Sequence, residues 1–256
     1  MAIHPDGLYC STEEGRIIEV SWSGDVEEIT SGLPRLLSNI TINNNGNIIV
    51  GNLEINGTNE LFEVSPTGQK RVISTSCITP TDITINKNGN FLVMERIGIR
   101  GVSEVAPDGS WRNVLVNSLD YGWTGHPTGI EIDNDGTTYI AYRDVGKIYA
   151  IPKAGNPYEY ANVTPSGSLI TLCFAPDGTL FAANDIAGEI YKISSIGTVS
   201  LFASNIINPH YMKFDGKGAM YVAAYGEDVI YKIVPEPATL ILLGLGGFIL
   251  RRSRKA

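Results

Sequence analysis

Cysteine is scarce in this chain and widely scattered: Cys10, Cys77 and Cys173 in 256 residues. An odd count with no close spacing excludes a disulfide framework and a zinc motif. Each cysteine lies in an apolar, strand-like stretch (GLYCS, ISTSCI, TLCFA) and reads as a small buried hydrophobe. Positive charge is short as well. Lys and Arg number 19 against 27 Asp and Glu, and four of those 19 fall in the last six residues. Residues 1–234 keep 15 basic against 26 acidic side chains, a net of −11. That excludes the basic footprint of a nucleic-acid binder, while permitting cation binding. No Gly-x-Ser-x-Gly, His-Glu-x-x-His, P-loop or dinucleotide fingerprint occurs. The opening stretch, MAIHPDGLYC, has neither the basic nor the apolar region of a secretory signal.

Glycine, by contrast, is plentiful: 28 residues, enough for many tight turns. Six of them mark a repeat in which a turn is followed by an apolar strand: HPDGLYCS, NNNGNIIVG, NKNGNFLVM, DNDGTTYIA, APDGTLFAA and DGKGAMYVA. The turn glycines are Gly7, Gly46, Gly89, Gly136, Gly178 and Gly218, spaced by 39, 43, 47, 42 and 40 residues. Asp-Gly and Asn-Gly favour hairpin turns with positive φ. A strand precedes each turn (NITIN, DITIN, GIEID, TLCFA, YMKFD), and a third follows (RIIEV, ELFEV, GVSEV, KIYAI, EIYKI, VIYKI). A second glycine turn and an outer strand such as DVEEIT, KRVIST, WRNVLV or VSLFAS close the unit. A period near 42 with four short strands predicts blades that must stack around an axis to bury both faces. The fold class is therefore an all-β, six-bladed propeller of four-stranded antiparallel blades over residues 1–234.

The ends break the pattern. The first unit starts at its inner strand, and the sixth has three strands before Pro235. Propellers usually hide two sheet edges by closing with a strand from the other terminus. The expectation is that the missing strand and a signal peptide both lie upstream of Met1; the alternative is a ring closed by packing between blades alone.

The form Pro-x-Gly-Ile-x-x-Asp-x-x-Gly followed by an apolar strand, clearest in HPTGIEIDNDGTTYIA (residues 126–141), resembles the NHL-repeat and gluconolactonase-like six-bladed propellers. The resemblance covers most of residues 1–234 and implies a fold more than an activity, since such folds host enzymes and scaffolds alike.

The last 22 residues differ in kind. Pro235-Glu236-Pro237 is followed by thirteen uncharged, mostly apolar residues, 238–250, and then by Arg251, Arg252, Arg254 and Lys255. As a helix the run would cover roughly 20 Å of a hydrocarbon core about 30 Å thick. LILLGLGGFIL has no polar face, so a core helix is disfavoured. The basic end follows the positive-inside pattern. This order resembles the PEP-CTERM sorting signal of Gram-negative bacteria. The resemblance implies export across the inner membrane, transient anchoring there by a C-terminal hydrophobic helix, and processing near Pro235–Pro237 by an exosortase-type membrane protease. Release or attachment at the cell surface or in the extracellular matrix would follow.

A binding site is expected on the face opposite the hairpin turns, around the central channel. Seven positions before the turn glycines stand Asn39, Asp82, Gly129, Thr171 and Tyr211. Six to eight positions after them stand Glu13, Asn52 and Glu54, Glu95 and Arg96, Arg143 and Asp144, Asn184 and Asp185, and Tyr225. This set is rich in hard oxygen donors suited to Ca²⁺ or Mg²⁺. The gluconolactonase-like resemblance implies one divalent cation, for which Glu13, Asn39, Asp82, Asn184 and Asp185 are the candidate ligands. The same residue types also cap loops. The longest interval contains NSLDYGWTGHPTG, which brings Tyr121, Trp123 and His126 to this face. Its aromatics suit stacking on a sugar or plugging the channel; with Arg143, Asp144 and Tyr211 they form the candidate ligand-binding set. His126 and His210, each beside a proline, are candidate general bases. A virginiamycin-lyase-like propeller would pair a channel histidine with a magnesium-binding glutamate, for which Glu95 is the candidate. The expected role is an exported binding module for a polysaccharide or small molecule, associated with exopolysaccharide or biofilm. The alternatives are a metal-dependent lactonase and a lyase.

Overall fold

The computed structural model describes residues 1–53, 59–164 and 167–234. The sorting-signal residues Pro235, Glu236, Pro237, Arg251 and Arg252, the expected C-terminal helix and Glu54 lie outside them. Six antiparallel sheets are arranged as blades. Blade 1 holds β1 (Ala2–His4), β2 (Gly7–Ser11), β3 (Ile17–Ser21) and β4 (Val26–Thr30). Blade 2 holds β5 (Leu37–Ile42), β6 (Ile48–Asn52), β7 (Leu61–Val64) and β8 (Lys70–Ser74). Blade 3 holds β9 (Pro80–Ile85), β10 (Phe91–Glu95), β11 (Gly101–Val105) and β12 (Arg112–Val116). Blade 4 holds β13 (Pro127–Ile132), β14 (Thr138–Tyr142), β15 (Lys147–Ile151) and β16 (Tyr158–Asn162). Blade 5 holds β17 (Leu169–Phe174), β18 (Leu180–Asn184), β19 (Glu189–Ile193) and β20 (Val199–Ala203). Blade 6 has three strands, β21 (Pro209–Phe214), β22 (Met220–Ala224) and β23 (Val229–Ile233).

Each blade is a meander with the earliest strand innermost. Hairpins between first and second strands, and turns between third and fourth, lie on one side, the hairpin face. Loops between second and third strands, and crossovers to the next blade, lie on the other, the loop face. No blade buries both faces alone, and the core is divided accordingly into six apolar clusters, one for each seam. The seam between blades 6 and 1 is built from Met1 and Leu8 against Ala219 and Tyr221. Trp22 reinforces it, its ring 5.2 Å from that of Tyr221 and its indole N–H donating to the Pro5 carbonyl at 2.7 Å. Within the described residues the ring thus closes by packing between these blades.

Two repeated backbone devices shape the loop face. The inner strands of blades 2 to 6 each carry a one-residue bulge at their first turn of chain; in blades 3 to 6 the extra residue is Thr81, Thr128, Ile170 or His210. A bulge re-aims its side chain and sharpens local twist. Just before four of these strands, Leu36, Thr79, Ser168 and Asn208 adopt positive φ of 50 to 73°. Their carbonyls accept from the first residue after the second strand: Leu53, Arg96, Asp185 and Tyr225. That conformation is costly for Leu and Thr, so the hydrogen bond and surrounding packing hold it in place.

Candidate functional site on the loop face

The residue just after the second strand recurs as Arg96, Arg143, Asp185 and Tyr225 in blades 3 to 6. In each, the backbone N–H donates to a carbonyl just before the inner strand, that of His126 in the case of Arg143, and the side chains of Arg143, Asp185 and Tyr225 meet at the channel mouth. There, contacts run from blade to blade. An Arg143 guanidinium nitrogen lies 2.6 Å from Asp185 Oδ2. The same carboxylate oxygen lies 4.0 Å from His210 Nε2, on the bulge of β21. The His210 ring stacks on Tyr225 with centroids 4.9 Å apart and planes 21° from parallel. The Tyr225 hydroxyl donates to Glu13 Oε1 at 2.5 Å. Blades 4, 5, 6 and 1 are therefore joined by one line of side chains around half of the mouth. Burial holds the His210 imidazole below its ordinary pKa; Asp185 opposes the shift and Arg143 adds to it. Asp185 is buried, and its second oxygen, Oδ1, has no hydrogen-bond partner among the described residues.

Asn39 and Asp82 lie deeper, on the channel wall. Asn39 Nδ2 donates to Asp82 Oδ1 at 2.8 Å, and the backbone N–H groups of Ile83 and Ile130 donate to Asp82 at 2.8 and 3.0 Å. Asn39 Oδ1 accepts from the Met1 amino group at 2.6 Å and from the Ile40 N–H at 3.0 Å. Burial pushes Asp82 up to about 6, against the pull of Lys213 and of the hydrogen bonds from Ile130 and Asn39. Tyr211 faces the same space; burial and Asp82 raise its phenol above the ordinary value. Below this layer Lys213 of blade 6 pairs with Glu131 of blade 4 across the inner strand of blade 5. Neither residue figures in the sequence reading, yet both stand five positions before a turn glycine, on the same strand face as Tyr211 and Gly129.

The remaining candidates divide between structural and exposed positions. Asn184 caps the loop that follows it: Oδ1 accepts from the Ile186 and Ala187 N–H groups, and Nδ2 donates to the Gly167 carbonyl at 3.1 Å. Glu95 is fully buried within blade 3, with Oε1 held by Arg112 and Oε2 accepting from the Ile78 N–H at 3.0 Å. Asp144 receives both the backbone N–H and Nδ1 of His126, at 2.8 and 2.5 Å. Among the described residues no group of three or more His, Cys, Asp or Glu side chains is placed to hold a metal ion. Glu13, Asp82 and Asp185 therefore do not converge on one point.

The aromatic loop follows β12 as a 3-10 turn, Ser118–Tyr121. Trp123 folds down on blade 4, stacked on Tyr149 at 4.0 Å and edge-on to Tyr142 at 6.0 Å. It covers the seam of blades 3 and 4. Tyr121 stacks on Trp123 at 5.1 Å and stays 44% exposed.

Comparison with known proteins agrees with this architecture. The PEP-CTERM protein-sorting motif matches residues 234–255. It supports export and membrane-associated processing by an exosortase in Gram-negative bacteria. No match is found among curated proteins. Among solved structures, the nidogen/laminin complex contains a chain 14% identical, with a TM-score of 0.73 over 88% of this chain and 87% of that one. A gluconolactonase from Xanthomonas campestris is 14% identical, with a TM-score of 0.68 over 82% and 76%. Virginiamycin B lyase from Staphylococcus aureus is 19% identical, with a TM-score of 0.66 over 87% and 75%. At these identities the likeness is one of fold.

Proposed function

We propose that residues 1–234 form an exported binding module, that residues 235–256 sort it to the cell surface or extracellular matrix, and that the loop face holds a polysaccharide there. The observation that carries this reading is the line Arg143–Asp185–His210–Tyr225–Glu13 around the channel mouth, with the open ring of Tyr121 on the adjoining blade. Planar donors and acceptors match the paired hydroxyls of a sugar, and aromatic faces match its apolar C–H faces. The side chains are already ordered by one another, so little conformational entropy remains to be lost on binding. Thiol chemistry has no support here: burial pushes Cys77 and Cys173 up to about 12, far from a usable thiolate. The test is binding of the full chain to an immobilised glycan panel, followed by calorimetry on the best ligand. Arg143→Gln and Tyr225→Ala are expected to weaken binding by about tenfold each. Absence of any glycan ligand, or binding indifferent to both variants, would refute the reading.

A second reading, a hydrolase or lyase, draws on one observation. Asp144 fixes His126 through Nδ1, which leaves Nε2 available as a proton acceptor. This reading calls for a divalent cation, Ca²⁺ or Mg²⁺. It would be favoured by one-site calcium binding lost in Asp82→Ala, together with lactone or ester turnover lost in His126→Gln.

A further inference from the structure

The two kinds of basic side chain are sorted between the faces of the disc. Of the seven arginines in residues 1–234, Arg16, Arg35, Arg96, Arg100 and Arg143 lie in loop-face segments, whereas seven of the eight lysines lie on the hairpin-face half, Lys147 being the exception. Lysine serves solubility as well as arginine does, so the segregation points to a need for guanidinium geometry on one face. Partnering narrows the choice. Arg16, Arg71, Arg112 and Arg143 each have a carboxylate partner. Arg35, Arg96 and Arg100 have none among the described residues, in a chain with an excess of carboxylates.

Arg96 and Arg100 bracket one short loop, Arg-Ile-Gly-Ile-Arg, and that loop is tied down at both ends. The Arg96 N–H donates to the Thr79 carbonyl at 3.1 Å. The Ile99 carbonyl accepts from the Ser118 N–H at 3.1 Å, and the Arg100 carbonyl accepts from the Tyr142 hydroxyl at 2.6 Å and from the Ser118 hydroxyl. Ser118 opens the aromatic loop, so the backbone from Ile99 to Arg100 is tied to the loop that carries Tyr121 and Trp123. Asp120, the carboxylate of that loop, faces Asn117 at 3.5 Å. Glu95, the carboxylate next to Arg96 in the chain, is already held by Arg112 and the Ile78 N–H, and charges more than about 8 Å away are screened at physiological ionic strength.

We infer that the glycan bound on the loop face is acidic, carrying carboxylates that Arg96 and Arg100 engage while a sugar ring packs on Tyr121. This deepens the polysaccharide reading and rests on it. Arginine takes a carboxylate through two parallel N–H bonds, whereas a neutral sugar gains little from an unpaired guanidinium. A nucleic acid is the less suitable polyanion, since its binding calls for a continuous basic footprint that residues 1–234, with 15 basic against 26 acidic side chains, lack.

The experiment compares binding of the full chain to polygalacturonate, to neutral dextran and to single-stranded DNA. Polygalacturonate is expected to bind best, and to weaken when salt rises from about 50 to about 500 mM, as the screening length shortens. The variant Arg96→Gln/Arg100→Gln is expected to lose about tenfold in affinity for polygalacturonate. Its dextran binding should be unchanged, and Lys217→Gln, on the hairpin face, should have no effect. Equal binding of dextran and polygalacturonate, insensitive to the double variant, would overturn the acidic ligand and leave the glycan reading standing. Binding of neither glycan would overturn both. Tighter binding of DNA than of either glycan would overturn the assignment in favour of a nucleic acid.

Discussion

Two glycines in blade 3 have nearly the same backbone angle and should respond very differently to alanine. Gly89, in the hairpin between β9 and β10, has φ of +82°, and an added Cβ meets nothing within 4 Å. Gly109, in the turn between β11 and β12, has φ of +75°, but its Cβ would stand 1.8 Å from the Ile73 carbonyl oxygen and 2.9 Å from the carbonyl carbon. Gly89→Ala therefore bears only the cost of a left-handed alanine, about 1 kcal/mol. Gly109→Ala bears the same cost plus a clash between two backbones. One must move by more than about 1 Å to restore van der Waals contact. Ile73 is part of the apolar cluster between blades 2 and 3, with Leu61, Cys77, Ile83 and Phe91. Opening that seam forfeits packing on the scale of a buried isoleucine, a further 2–5 kcal/mol or so. For a chain of this size about 1 kcal/mol corresponds to a melting shift of roughly 2–4 °C. Thermal and urea unfolding should give a loss for Gly109→Ala at least threefold that for Gly89→Ala. Equal losses would show that the turn glycines are selected for φ alone and that the close approach of the blades has no energetic weight.

Two further outcomes follow from burial. Asp82 titrates near 3.8 in the unfolded chain and is pushed up to about 6 in the folded one. Between those values the folded state keeps a proton that the unfolded state has lost, so this group makes stability fall as pH rises from about 4 to about 6. The shift of about two units corresponds to roughly 3 kcal/mol, and Asp82→Asn, which cannot ionise, should gain on the parent by that order across the window. Urea unfolding at pH 4 and pH 7 measures it; a pH-independent difference between the two proteins would contradict it. The thiols of Cys77 and Cys173, held up at about 12 by burial, should resist alkylation in the native state at pH 8 and react only on unfolding. Rapid native labelling of either, read by mass spectrometry, would show that the seams open.

The fold was legible in the sequence because a propeller repeats its instructions. A turn glycine every 39 to 47 residues fixes the blade count, and alternation around each one fixes which strand is innermost. The site was legible only in part, for a physical reason. Counting from the turn glycines finds the level of a residue along the axis, and so placed Asn39, Asp82, Glu13 and Asp185 near the channel or its mouth. It cannot show where a side chain's hydrogen-bonding capacity goes. Asn184 and Asp185 are neighbours of similar chemistry, yet the first caps a loop and the second reaches Arg143 on another blade. The difference comes from the left-handed Ser168, whose carbonyl accepts from the Asp185 N–H. A serine in that conformation leaves no mark in the sequence, as a glycine would. The bulge that aims His210 at Tyr225 and Asp185 is equally silent, because Pro209-His210-Tyr211 reads as unbroken strand. Lys213 and Glu131 could have been found, since each shares a strand face with a residue already singled out two positions earlier. The loop face thus combines a scaffold written in the repeat with side-chain aims set by strained positions between repeats. Those positions are where this chain differs from blade to blade, and a ligand that contacts several blades at once would read that difference.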